Sequence, residues 1–114
     1  MKGGKGVSRE LQQFKAEFFK ALAHPLRIRI LEVLSEGEKN VNEIQAVLGL
    51  EGSAVSQQLA VLRAKNVVSG VKDGTNVIYS LRDPLIRELL EVAKRIFDNH
   101  LVDAISLLET IRSE

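Results

Sequence analysis

Ser53, Ser56, Gln57, Gln58 and Arg63 bring hydrogen-bonding side chains together in one short segment, spaced by small residues such as Ala54, Ala60 and Ala64. A glutamine amide such as Gln57 or Gln58 can pair with adenine through both its oxygen and its nitrogen, and an arginine can reach guanine or a phosphate. Serines and alanines between them let a helix lie close to base edges. A second group follows at Lys72, Thr75 and Asn76, around Asp73-Gly74. Its charge and reach suit contact with a nucleic-acid backbone or minor groove. Other chemistries lack their parts. The chain has no cysteine, which excludes a disulfide framework, a thiolate zinc site, a cysteine nucleophile and a thiol redox sensor. Neither His24 nor His100 stands beside a recognisable nucleophile, and there is no glycine-rich phosphate loop. No enzymatic activity and no cofactor is expected. His100 and Asp103, three apart on a helical stretch, offer only two ligands per chain, so no metal site is expected either.

These groups need a scaffold, and the apolar spacing supplies one. Residues 1–7 are basic and glycine-rich, and read as a flexible tail. Ser8 is placed to cap a helix over about residues 8–23, with Leu11, Phe14, Phe18 and Leu22 on one stripe. His24-Pro25 interrupts that helix, and Pro25 opens a second one running to about Ser35. Leu26, Ile28, Ile30, Leu31, Val33 and Leu34 nearly surround the second helix, so it must lie in the middle of the core. Gly37 is a suitable stop. Val41, Ile44, Val47 and Leu48 form a short third helix ended by Gly49, and Leu50–Ser53 is a turn. Ser53 then reads as the cap of a fourth helix to about Lys65, with Val55, Leu59 and Leu62 as its buried stripe. A short helix, a tight turn and a helix with a polar outer face make a helix-turn-helix over about residues 41–65.

Val67-Val68 and Val77–Leu81 flank the Asp73-Gly74 turn and predict a β-hairpin, a wing over about residues 67–81. Asp83-Pro84 restarts a helix over about 84–112. At about 28 residues it would be roughly 42 Å long, with Asp98-Asn99-His100 as a possible kink or split. Residues 8–114 therefore read as one mainly α domain with a small hairpin, in the order α-α-α-α-β-β-α: a winged helix-turn-helix. A chain of 114 residues cannot cover so long an apolar helix. Leu11, Phe14 and Phe18 of the first helix, with Ile86, Leu90, Phe97, Leu101 and Leu108 of the last, are expected to meet a second copy.

The net charge of +1 hides alternating blocks. Residues 1–29 and 53–82 are net basic, while 30–52 and 83–114 are net acidic. The second basic block coincides with the fourth helix and the wing. No run of about 18 uncharged apolar residues exists, and the basic start has no apolar segment behind it, so no membrane span and no signal peptide is expected. The absence of cysteine fits a reducing cytoplasm.

Two stretches carry a family resemblance. Phe19-Lys20-Ala21-Leu22-Ala23-His24-Pro25-Leu26-Arg27-Ile28-Arg29-Ile30-Leu31 resembles the opening of the ArsR/SmtB family of bacterial transcriptional repressors. Ser53-Ala54-Val55-Ser56-Gln57-Gln58-Leu59-Ala60-Val61-Leu62-Arg63 is similar to that family's recognition helix, and Asp73-Gly74 through Tyr79-Ser80-Leu81 to its wing. The resemblance covers roughly residues 10–100. It implies a homodimer, joined through its first and last helices, that represses an operon and leaves double-stranded DNA on sensing a ligand. Several positions depart from the family pattern. Gln58 stands where many members have histidine. Asn40 and Asn42 stand where the best-known metal sensors have cysteines. Asp83, Leu85, Ile96 and Asn99 replace the ligands of a zinc site between C-terminal helices, so one ligand of that set remains. Induction through those metal or thiol sites is therefore not expected, and the residues name no effector. A DNA-binding activator, or a winged-helix module binding proteins through its C-terminal helices, are the alternatives to a repressor.

Overall fold

A computed structural model describes residues 2–113, and side chains over 8–113. Five helices and one hairpin follow in the order α1 (Lys2–Leu22), α2 (Pro25–Ser35), α3 (Val41–Leu48), α4 (Ala54–Ala64), β1 (Val68–Asp73), β2 (Asn76–Leu81) and α5 (Leu85–Ser113). This is the winged helix-turn-helix order expected from the sequence. The start of α1 differs. The helix already includes Lys2, so Ser8 lies inside it and is not its cap. Of the expected tail, Met1 falls outside the described residues. Propagation adds one backbone hydrogen bond for each residue fixed, which lets a helix extend backward past a good capping residue.

The corner between α1 and α2 is local chemistry. His24 is extended, and its Nδ1 accepts from the Leu26 backbone N–H at 3.2 Å, with Pro25 in the first turn. Proline needs no amide partner there and is already set to a helical φ. Helix α2 then lies at the centre, packed against α1, α3, α4, α5 and β2. Its Ile30 and Leu31 are completely buried, and Val33 and Leu34 nearly so. Around them stand Ala21 and Leu22 of α1, Ile44 of α3, Val55, Leu59 and Leu62 of α4, Val67 and Val68 at the start of the hairpin, and Ile86 of α5. Each large aliphatic side chain removed from water here contributes about 1.5–3 kcal/mol.

The hairpin is a two-stranded antiparallel ladder from Val68↔Leu81 to Asp73↔Asn76. Its central turn residues are therefore Gly74 and Thr75, one place beyond the expected Asp73-Gly74. Gly74 takes φ of 62° while Thr75 does not take a positive φ, the arrangement in which glycine belongs at the first turn position. The free edge of β2 is held by Lys39, whose N–H donates to the Tyr79 carbonyl at 3.0 Å and whose carbonyl accepts from the Tyr79 N–H at 2.8 Å. A one-residue bridge has no periodicity, so nothing in the sequence signals it.

Helix α5 is one continuous helix of 29 residues, as the apolar stripe implies, and it is not split at 98–100. Asp98 and Asn99 lower helix propensity by only about 0.7 kcal/mol each, too little to interrupt good helix formers on both sides. Only its first turns reach the core, and its remaining length projects outward. The radius of gyration is 18.3 Å, against about 13 Å for a compact chain of this length. Leu59→Ala should destabilise the fold by about 2–5 kcal/mol, because the site is enclosed and cannot collapse. Urea unfolding at fixed protomer concentration measures this, and a loss under about 1 kcal/mol would contradict the packing described.

Candidate nucleic-acid interface

The helix-turn-helix is assembled from local devices. Asn40 starts α3 with a capping box: its Oδ1 accepts from the Glu43 N–H at 2.8 Å, and Glu43 Oε1 accepts from the Asn40 N–H at 2.9 Å. Capping thus gives Asn40 a structural role of its own. Gly49 ends α3 in the left-handed region, with φ of 66°. The turn then runs over residues 49–53, one residue longer than expected. Two side chains brace it. Gln45 Nε2 donates to the Gly52 carbonyl at 2.6 Å, and Arg29 Nη2 donates to the Leu48 carbonyl at 3.2 Å. Neither contact is visible in the sequence, since each depends on how the helices lie.

Helix α4 buries Val55, Leu59 and Leu62 completely against α2 and α3. Ser53, Ala54, Ser56, Gln57, Ala60, Arg63 and Ala64 are exposed, while Gln58 and Val61 are half-buried. Ser53 occupies the N-cap position, but its side chain makes no capping bond. Its backbone is in the α region, and its Oγ instead accepts from Gln57 Nε2 at 3.3 Å. Gln58 departs further from expectation. Its Oε1 accepts from Arg27 Nε at 2.8 Å, so the amide is turned toward α2. In this arrangement the oxygen expected to pair with adenine is already engaged.

Asn66 closes α4 in a left-handed conformation, with φ of 60°. Its N–H donates to the Arg63 carbonyl at 3.1 Å, and the Val67 N–H donates to the Leu62 carbonyl at 2.9 Å. Together these form a Schellman closure sealed by two buried side chains, Leu62 and Val67. The closure turns the chain directly into β1, fixing the wing beside α4. At Gly70 a Cβ would lie 3.0 Å from Val77 Cγ1, 3.1 Å from Tyr79 Cε1 and 3.2 Å from Arg63 Nη1. Arg63 therefore lies over the strand. Strand alternation places Lys72 on the same face as Gly70, and Asn76, paired with Asp73, on the other. Lys72, Thr75 and Asn76 are all exposed.

Several cations are engaged within the chain. Arg27 Nη1 donates to the Ala21 carbonyl at 3.3 Å, and Arg87 donates to the Ser35 carbonyl through Nε at 2.6 Å and through Nη2. Lys65 pairs with Glu17 at 3.6 Å. The basic residues clear of such contacts beside α4 are Lys72 at the wing and Arg63 over the strand.

The residues expected to meet a second copy divide. Leu11, Phe14, Phe97, Leu101 and Leu108 are each more than half exposed. Phe18 and Leu90 pack partly on the core, and Ile86 is buried within its own chain at 5% exposure. Ile86 is thus a core residue, because the first turn of α5 docks onto α2. A mainly apolar groove of about 350 Å³ runs between α1, α2 and α5, lined by Phe19, Leu22, Ile28, Leu89, Leu90 and Phe97 together with the charged Glu32, Lys94 and Asp98. Asp83 Oδ1 accepts from the Leu85 N–H at 2.9 Å, a capping role. His100 and Asp103 lie exposed beside Ile96, Phe97 and Asn99. Among the described residues no three His, Asp or Glu side chains come together as a metal site, and no helix is long and apolar enough to cross a membrane.

Residues 24–69 match the profile of the family described as bacterial regulatory protein, arsR family. Over 107 residues the chain is 49% identical to an uncharacterized HTH-type transcriptional regulator, Rv0081, of Mycobacterium tuberculosis (strain ATCC 25618 / H37Rv), covering 93% of this chain and 94% of the relative. The crystal structure of Rv0081 superposes with a TM-score of 0.73, covering 84% of this chain and 98% of that one. The solution structure of a homodimeric winged helix-turn-helix DNA-binding domain, Mb0332 of Mycobacterium bovis, is 28% identical and gives a TM-score of 0.74 over 82% of this chain and 87% of that one. The transcriptional repressor BigR of Xylella fastidiosa, also 28% identical, gives 0.72 over 82% of this chain and 95% of that one.

The close approach at Gly70 has a measurable consequence. Gly70→Ala should cost about 1–3 kcal/mol by overpacking. The cost should shrink in an Arg63→Ala background, where one of the three crowding groups is gone. A double-mutant cycle by thermal or urea unfolding reads the coupling, and equal costs in both backgrounds would show that Val77 and Tyr79, not the mobile Arg63 guanidinium, set the penalty.

Proposed function

The chain belongs to the arsR family of bacterial regulatory proteins, a transcription regulator rather than an enzyme, and from that membership we propose that it acts in the cytoplasm as a homodimeric repressor on double-stranded DNA. The observation that carries the reading is the exposed side of α4. Its outward residues Ala54, Ser56, Gln57, Ala60 and Ala64 are all short or flexible and polar, while its opposite side is anchored by three fully buried residues. A helix that reads bases must approach within hydrogen-bonding distance of their edges, and only small neighbours permit that. Ser53, Ala54, Ser56 and Gln57 enter the major groove in this reading. Arg63 and Gln58 stand at its flanks, and Lys72, Thr75 and Asn76 meet the backbone from the wing.

A homodimer gives the exposed apolar residues of α1 and α5 a partner. Phe14 is 72% exposed and Phe97 is 70% exposed, and both lie on the two longest helices. Such surface is unfavourable in water and favours association with an identical surface. Two copies imply a palindromic operator with half-sites about 10 base pairs apart, centre to centre. The capped or replaced residues at the family's thiol and zinc positions support a repressor not induced through those sites.

Affinity for the DNA upstream of its own gene, compared with random duplex at physiological salt, tests the reading. Binding no tighter than to random duplex would reject it. Gln57→Ala should cost about 1–3 kcal/mol on the operator and relax preference at one base position. Lys72→Ala should weaken all sequences alike and reduce the salt slope by about 1. Phe97→Glu should shift the protein from dimer to monomer in sedimentation equilibrium, and an unchanged dimer would remove α5 from the interface.

A further inference from the structure

We propose that Arg27 decides which hydrogen-bonding groups α4 offers to a base at Gln58, and so acts as a specificity-positioning residue although it lies on another helix. The inference rests on α4 reading DNA. A guanidinium has donors and no acceptor, so a glutamine amide bonded to it must turn its oxygen inward. That is the arrangement here: Gln58 Oε1 accepts from Arg27 Nε at 2.8 Å. Arg27 is not free to drift. It is half-buried at the α1–α2 corner and also donates through Nη1 to the Ala21 carbonyl at 3.3 Å. The amide nitrogen of Gln58 is left over. No hydrogen bond among the described residues uses it, and no buried side-chain nitrogen there lacks a partner, so it remains open to solvent.

The chemistry at this position is thereby narrowed. A free glutamine pairs with adenine by accepting from N6 and donating to N7. Held by Arg27, Gln58 presents donors only. In the major groove those donors match guanine, which shows acceptors at N7 and O6, or thymine, which shows one at O4, and they do not match the donor–acceptor pair of adenine. Gln58 then favours guanine, with two neighbouring acceptors, and thymine O4 over adenine, whose N7 acceptor stands beside the N6 donor, with Arg27 setting the polarity.

Selection of binding sites from random duplexes by the wild-type protein, Gln58→Ala, Gln58→Glu and Arg27→Met tests this. Gln58→Ala identifies the base position that residue 58 reads. At that position the wild type should select guanine or thymine. Arg27→Met keeps an unbranched apolar stem but removes every donor, so the amide can turn and adenine should gain about fivefold over guanine or thymine there. Gln58→Glu retains the pairing with Arg27 and loses the outward donor, so the preference for guanine or thymine should fall by about fivefold to tenfold. Circular dichroism melting establishes that each variant is folded; if Arg27→Met is not, the two Gln58 variants carry the test. Adenine selected by the wild type at the Gln58 position would overturn the proposal. So would base preferences unchanged in folded Arg27→Met, or a Gln58→Ala variant with no relaxed position. A wild type that selects no sequence at all would instead overturn the DNA-reading function on which the proposal stands.

Discussion

Ile30 and Leu31 sit fully buried in a helix that is apolar on nearly every side, and the position of every other element follows from enclosing it. A helix with one apolar stripe can rest on a surface, but α2 buries Ile30, Leu31, Val33 and Leu34 among five other elements. Only Ile28 of its expected core residues is exposed, with Arg29 and Glu32. Helices α1, α3, α4 and α5 and the hairpin strand β2 take up positions around it. Helix α4 is one of the walls of this enclosure. Its three buried residues bind it to the core, and this leaves only a narrow outer face to meet a ligand.

The same enclosure explains where the basic residues go. Helix ends leave carbonyls unpaired, and each needs a donor. Arg27, Arg29 and Arg87 donate to carbonyls at the ends of α1, α3 and α2 respectively. Charge counted along the chain therefore overstates the charge available for DNA, because part of the N-terminal basic block is committed to closing helices. Hydrogen bonds to charged donors contribute about 1.5–3 kcal/mol in favourable cases, less where solvent reaches them as at Arg29 and Arg87. What remains beside α4 is a small cationic surface at Arg63 and Lys72.

At the other extreme, α1 and α5 extend beyond the core, and their apolar stripes continue where their own chain has nothing to cover them. The extents of 62 × 52 × 21 Å describe a slab with projecting helices. Helix α4 and the two helices with exposed apolar stripes, α1 and α5, are joined through α2. Arg27 touches both sets at once, through Ala21 of α1 and Gln58 of α4.

The amino-acid sequence determined the element order, the central place of α2, the stripe Val55-Leu59-Leu62 and the hairpin, because periodicity, prolines and capping residues act over a few neighbouring positions. Asn40-x-x-Glu43 and Asn66 carry signals of the same local kind, although they are not among the caps and stops expected from the sequence. Tertiary structure alone decided what Gln58, Ile86 and Ser53 do. Gln58 reads as a free base contact until α2 places Arg27 within 2.8 Å of it. Ile86 reads as an interface residue until the first turn of α5 docks on the core and buries it. Ser53 reads as a cap until its backbone conformation removes the geometry a cap requires. In each case the residue's type limits what it can bond, and only the distance between elements far apart in the chain selects the partner.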